Sequence, residues 1–110
     1  MWINELLIEA KDGINSYTKN KKFHEETDAM FNSIDLSGII TKEKLLSVQD
    51  LFFSRIRKLQ APQRDAELLV AQECLVKGLN YNGDFGEFVS LSLQCVYHFL
   101  DYIKLDLTLV

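Results

Sequence analysis

Apolar residues recur at alternating four- and three-residue steps along the last third of this chain: Val89, Leu93, Val96, Leu100, Ile103 and Leu107. This spacing keeps all six on one side of an α-helix, and it is typical of the packing seam of a helix bundle. Asp84 and Glu87 have the spacing of a capping box, which predicts that the helix begins near Phe85 and runs to Ile103 or beyond. A helix with such a seam must bury it against other helices.

Four further helices are predicted from apolar residues at three- and four-residue spacing. They cover residues 2–17, residues 23–34, the segment from the N-cap Thr41 to Ala61-Pro62, and residues 62–77. The last of these is apolar over most of its circumference, which predicts a central helix contacted on several sides. Gly78 is the expected left-handed cap of that helix, and residues 35–38 and 80–83 are predicted turns.

Composition agrees with long helices joined by short connections. The 110 residues include only one proline and five glycines, too few for the many turns of a sandwich or barrel. We therefore expect an all-α fold, a single-domain antiparallel bundle of four or five helices. Residues 105–110 alternate apolar and polar side chains, as in a strand, but the segment is short, and we predict that the helix continues into a docked tail.

Location is predicted from what the chain lacks. The first residues have no basic start, and acidic residues interrupt the apolar positions that follow, so a signal peptide does not fit. The most hydrophobic tract, residues 88–110, does not predict a membrane span, because it contains Gln94, His98, Asp101, Lys104 and Asp106. Cys74 and Cys95 are predicted to be reduced, buried thiols, with a bridge between them as the alternative. These features predict a cytoplasmic protein.

Two histidine clusters are the only candidates for chemistry, since no phosphate loop, nucleophile elbow or paired Cys-x-x-Cys occurs. His24 and Asp28 have the spacing of two metal ligands on one helix face, but no third ligand is identified. His98 lies three residues before Asp101, which would orient it for acid–base work, but no nucleophile is identified beside it. We therefore predict no enzyme activity, no metal and no cofactor.

The basic residues Arg55, Arg57, Lys58 and Arg64 surround a predicted helix end. Such a cluster is able to contact phosphate, but the whole chain has a net charge of −4, which opposes nucleic-acid binding elsewhere on its surface. Complementing the helix dipole and pairing with nearby acids explain the cluster without a nucleic acid. No nucleic-acid partner is predicted.

Acidic residues supply the candidate partner-binding surface. They form two groups: Glu25, Glu26, Asp28 and Asp35 in the first third, and Asp84, Glu87, Asp101 and Asp106 on or before the last helix. In size, charge and helical content the chain is similar to the helical immunity proteins that accompany bacterial colicins and contact-dependent inhibition toxins. No residue motif carries this likeness, so no site is taken from that family. The likeness implies a module that neutralises a basic, nuclease-like toxin through carboxylates that imitate phosphate.

Two other functions are consistent with the sequence. The first is a structural or adaptor bundle that forms a homodimer through surplus aromatic residues: Phe52, Phe53, Tyr97, Phe99 and Tyr102. The second is a small helical enzyme or metal protein centred on His98 or His24.

Overall fold

The helices were located in a computed structural model that describes residues 2–36, 38–60 and 62–108, with side chains described within 5–36, 38–60, 62–81 and 83–105. Over those residues the chain forms five α-helices and one turn of 3₁₀-helix, Pro62–Arg64. The α-helices are α1 (Trp2–Asn15), α2 (Lys21–Asn32), α3 (Lys42–Leu59), α4 (Asp65–Asn82) and α5 (Phe85–Thr108). The predicted all-α bundle is confirmed.

Side-chain caps determine where three of the helices begin. The side-chain oxygens of Asn20, Thr41 and Asp84 accept hydrogen bonds from backbone N–H groups three residues later, over 3.2, 3.3 and 3.0 Å. Each bond satisfies a donor that has no partner within its helix. Thr41 and Asp84 were predicted as caps, whereas Asn20 was not. This cap explains why α2 begins at Lys21, two residues before the predicted start at residue 23.

Helices α3 and α5 form the centre of the bundle, since each packs against α1, α4 and the other. The predicted seam of α5 is buried from Val89 through Ile103, and the side chain of Leu107 lies outside the described set. In α3 the apolar residues that recur at three- and four-residue steps are buried as well, with the last of them half-buried: Leu45, Val48, Phe52, Ile56 and then Leu59. The two strongest periodic patterns in the sequence therefore define the core.

Arg55 is buried among apolar side chains of the core, with 1% of its surface exposed. Its Nε donates to Thr27 Oγ1 over 2.8 Å, and a terminal nitrogen donates to the Phe23 carbonyl over 3.1 Å. The guanidinium carbon also lies 4.0 Å from the centroid of the Phe23 ring. Arg55 therefore connects α3 to α2. The prediction that Arg55 complements the dipole of its helix does not account for these buried contacts.

The predicted end of α4 is wrong. The helix continues through Gly78 to Asn82, and Gly83, with φ of 67°, provides the left-handed cap. Leu79 explains the difference, because its side chain is only 3% exposed when the helix continues past Gly78. Burying a leucine contributes about 2 kcal/mol, more than the roughly 1 kcal/mol penalty of a glycine inside a helix.

The predicted central position of α4 is also wrong. Apart from the adjoining 3₁₀ turn, α4 packs against α3 and α5, and most of its residues are exposed or half-buried. The bundle measures 42 × 27 × 18 Å, so its thinnest dimension is about two helix diameters. Such a thin bundle leaves every helix with an outward side, and the outward side of α4 is partly apolar.

The remaining predictions differ from the structure in smaller ways. Helix α1 ends at Asn15, two residues before the predicted end, and α2 ends at Asn32, also two residues early. Helix α5 extends to Thr108, which confirms helix for most of the final segment, while residues 109–110 lie outside the described residues. Ser37 and Ala61, in a predicted turn and at a predicted helix end, also lie outside them. Among the described residues, none of the helices has the length and apolar content needed to span a lipid bilayer.

Candidate functional site

The acidic residues of the first group lie on α2 and the loop after it. Glu25 and Glu26 are exposed, but each follows a lysine by four residues, so both charges are partly neutralised on the same helix face. Asp28 is half-buried, and its Oδ1 accepts from Lys11 Nζ at 3.3 Å and from Asn15 Nδ2 at 3.2 Å. Asp28 therefore joins α1 to α2. Asp35 is exposed in the following loop.

The second acidic group is divided between the two ends of α5. Asp84 and Glu87 lie together at its start, whereas Asp101 lies 14 residues beyond Glu87. At a rise of about 1.5 Å per residue, that separation is roughly 21 Å. The side chain of Asp106 lies outside the described set. The structure thus brings together Asp84 and Glu87, and it does not bring Asp101 to them.

A cavity of about 50 Å³ opens beside Asp84 and Glu87, between the end of α4 and the start of α5. We call it the α4–α5 cleft. It is lined by both carboxylates, by Cys74, Leu75, Gly78 and Leu79 of α4, and by Phe88 and Leu91 of α5. Leu91 is exposed, so apolar surface extends from the cleft toward solvent. Two carboxylates at the edge of an exposed apolar wall distinguish this place from the mixed-charge surface of α2.

Both histidines make contacts with neighbouring groups of the chain. His24 Nε2 lies 2.7 Å from the Thr18 carbonyl oxygen, which ties α2 to the loop before it. His98 makes edge contacts with the Phe99 and Tyr102 rings, whose centroids lie 5.7 and 4.5 Å from its own. Both imidazoles thus have contacts that explain their positions.

The sequence analysis identified no nucleophile beside His98, but Cys95 lies there, and its position three residues before His98 on α5 was the available signal. Cys95 and His98 line the same shallow depression with Leu75, Leu91 and Gln94. Burial raises the pKa of the Cys95 thiol, and the nearby Cys74 raises it further. A raised pKa keeps the sulfur protonated, which is the opposite of what an activated nucleophile needs. Both cysteines are free, and Cys74 is exposed, so its predicted burial is wrong.

Three of the four residues in the basic cluster have local contacts. Arg55 is buried, Arg57 Nε lies 3.5 Å from Asp65 Oδ2, and Arg64 lies over the Tyr102 ring at 4.2 Å. Local pairing was expected for this cluster, and Arg57 confirms it. In the part of the chain that the structure describes, no three His, Cys, Asp or Glu side chains are close enough together to hold a metal ion.

The aromatic residues expected at a dimer face are mostly inside the bundle. Phe52, Phe53 and Phe99 are buried, and Tyr102 is half-buried. Only Tyr97 of that group is substantially exposed. Most of the surplus aromatic residues therefore fill the core.

The sequence prediction missed the exposed apolar residues of α4 and the start of α5. Leu69, Val70 and Tyr81 of α4 and Leu91 of α5 are all exposed. One sequence signal could have revealed them. The apolar residues of α4 are spread over more of its circumference than two neighbouring helices cover. Comparisons of the chain with protein-family models, with curated proteins and with solved structures found no match.

Proposed function

We propose that this chain is a non-catalytic protein-binding module that neutralises a basic, nuclease-like protein by direct contact. The observation that carries the proposal is the α4–α5 cleft, where Asp84 and Glu87 lie beside exposed apolar surface. An apolar centre with a polar rim is the usual composition of a protein interface. The two carboxylates specify the charge of the partner.

The cleft suits a long basic side chain. Lysine and arginine place their aliphatic stems along apolar surface and keep the charged end in a polar environment. Leu75 and Leu91 offer the apolar wall, and Asp84 and Glu87 offer acceptors for the charged end. Nuclease surfaces are basic because they bind phosphate, so a carboxylate pair competes for the same side chains.

The environments of the reactive residues support a role without catalysis. Both histidines have structural contacts, and the thiol beside His98 has a raised pKa. A catalytic site brings a base, a nucleophile and a stabilising group into one pocket. The two free thiols suit a reducing compartment, and we place the protein in the cytoplasm.

The proposal is tested by mixing the purified chain with the purified product of the neighbouring gene and measuring both binding and loss of nuclease activity. We expect a complex that weakens with salt, because the contact is between opposite charges. Asp84→Asn with Glu87→Gln keeps the side-chain shapes and removes both charges, and should weaken binding at least about tenfold.

Glu25→Gln with Glu26→Gln is the matched control, since it removes the same charge from α2 and should leave the affinity unchanged. If both double variants lost affinity equally, either the contact would lie elsewhere or the loss would be a general effect of net charge. Failure of the wild-type chain to bind or to inhibit the nuclease would overturn the proposal.

A further inference from the structure

The outward side of α4 carries apolar residues that stay exposed when α4 packs against the described residues of the other helices. Leu69, Val70 and Tyr81 are 44%, 60% and 91% exposed, and Glu73 and Lys77 lie between them along the helix. These five residues follow three- and four-residue steps, so they share one side of α4. We call this side the α4 outer face. A helix with this pattern normally packs against another helix.

The charges of the α4 outer face are balanced, unlike those of the chain. Glu73 and Lys77 contribute one negative and one positive charge, whereas the chain has a net charge of −4. Among the described residues neither side chain forms an ion pair. A basic partner gains no net attraction from a neutral face. A partner with one acid and one base at matching positions would gain two ion pairs.

The chain itself has those matching positions. We propose that two copies of this chain associate through their α4 outer faces, with the two helices antiparallel about a two-fold axis near residue 75. This register sets Glu73 of one copy against Lys77 of the other, and the same pair recurs on the opposite side of the axis. It also sets Leu69 against Tyr81. A two-fold interface must be self-complementary in this way.

The order of the charges selects the antiparallel direction. A parallel pair of α4 helices would set Glu73 against Glu73 and Lys77 against Lys77, which opposes association. The contact is one helix about 27 Å long on each side, so the interface is at the small end for specific complexes. The dimer is therefore weak, and its population depends on concentration.

The α4 outer face is separate from the α4–α5 cleft. Asp84, Glu87, Leu75 and Leu91 are not part of the face, and the dimer does not rest on the proposed neutralising function. Exchanging the charges of Glu73 and Lys77 leaves the cleft intact. Conversely, removing the charges of Asp84 and Glu87 should leave the dimer intact.

Sedimentation equilibrium of the purified full chain over a wide concentration range tests the proposal. We expect reversible dimerisation. Glu73→Lys sets lysine against lysine at both symmetric contacts and should weaken the dimer by about tenfold or more. The charge exchange Glu73→Lys with Lys77→Glu restores opposite charges at both contacts, and it should restore dimerisation.

Glu26→Lys on α2 makes the same change in charge away from the face and should leave dimerisation unchanged. Circular dichroism should show unchanged helix content in all three variants, because Glu26, Glu73 and Lys77 are exposed. A wild-type chain that is monomeric at every concentration would overturn the proposal. So would a charge exchange that fails to restore the dimer in a folded protein.

Discussion

Arg55 donates a 2.8 Å hydrogen bond from Nε to the hydroxyl of Thr27, and both side chains are buried where α3 crosses α2. The Thr27 hydroxyl in turn donates to the Phe23 carbonyl oxygen over 2.8 Å. That carbonyl oxygen also accepts a hydrogen bond from the Arg55 guanidinium, so each of the three groups is hydrogen-bonded to the other two. Within the described residues, Arg55 has no carboxylate partner in an ion pair. Hydrogen bonds and the Phe23 ring therefore stabilise this buried charge.

Replacing Thr27 with valine should lower the free energy of unfolding by about 2 kcal/mol, because a buried charged donor loses its acceptor. Arg55→Met fills similar space with an apolar side chain, and should change the stability by less than about 1 kcal/mol. In the Arg55→Met background, Thr27→Val should then have little effect. Urea unfolding of the wild type, both single variants and the double variant measures this coupling. An equal effect of Thr27→Val in both backgrounds would contradict the assigned role of Arg55.

The two glycines near the end of α4 should respond to alanine in opposite ways. Gly83 has φ of 67°, so Gly83→Ala should lower the stability by about 1 kcal/mol through backbone strain. Gly78 lies inside the helix, and a Cβ added there meets nothing within 4 Å. Gly78→Ala should therefore raise the stability by about 0.5–1 kcal/mol through helix propensity. Thermal unfolding of both variants checks the pair, and a loss of stability at Gly78 would mean that α4 ends where the sequence suggested.

The sequence predicts the packing of a helix correctly where its apolar residues all lie on one side, the side that contacts neighbouring helices. The seam of α5 satisfies that condition, and its buried residues were identified with the correct register. Helix α4 does not, because a nearly uniform apolar pattern does not specify which sides neighbours cover. Its exposed Leu69 and Val70 became apparent only once the packing of α3 and α5 was known.

Buried polar groups are harder to predict than periodic patterns. Arg55 lies in the last turns of α3, where a positive charge is ordinarily explained by the helix dipole. Its acceptors come from Phe23 and Thr27, 32 and 28 residues earlier in the chain. The candidate site is likewise formed by residues that only the packing of two helices brings together. Asp84 and Glu87 were named from the sequence, but the apolar wall beside them depends on how α4 packs against α5.

Asp84 has a structural role that the design of binding variants must preserve. Its Oδ1 accepts the Glu87 backbone N–H at 3.0 Å and caps α5. Asp84→Ala should lower the stability by about 1 kcal/mol, whereas Asp84→Asn retains an acceptor and should lower it by less than about 0.5 kcal/mol. Thermal unfolding of the two variants separates the stability contributed by the capping hydrogen bond from that contributed by the charge. If both lost the same stability, the charge rather than the hydrogen bond would stabilise the start of α5.

The two thiols should differ in reactivity. Cys74 is exposed, whereas burial and then the nearby Cys74 raise the pKa of half-buried Cys95. Because the thiolate is the reactive form, iodoacetamide at mildly alkaline pH should modify Cys95 at least about threefold more slowly than Cys74. Peptide mass spectrometry over a time course measures both rates. Cys74→Ser removes the neighbouring thiol that raises the pKa of Cys95, so Cys95 should react somewhat faster in that variant.

The same shift determines how Cys95 affects folding at alkaline pH. The folded chain holds the Cys95 proton more tightly than the unfolded chain does. Its contribution to stability is therefore complete below the ordinary thiol pKa and decreases as the pH rises through the raised value. The loss of urea stability from neutral to alkaline pH should be smaller in Cys95→Ala than in the wild type, because alanine has no proton to lose. An identical pH dependence in the two proteins would show that Cys95 titrates alike in the folded and unfolded chains.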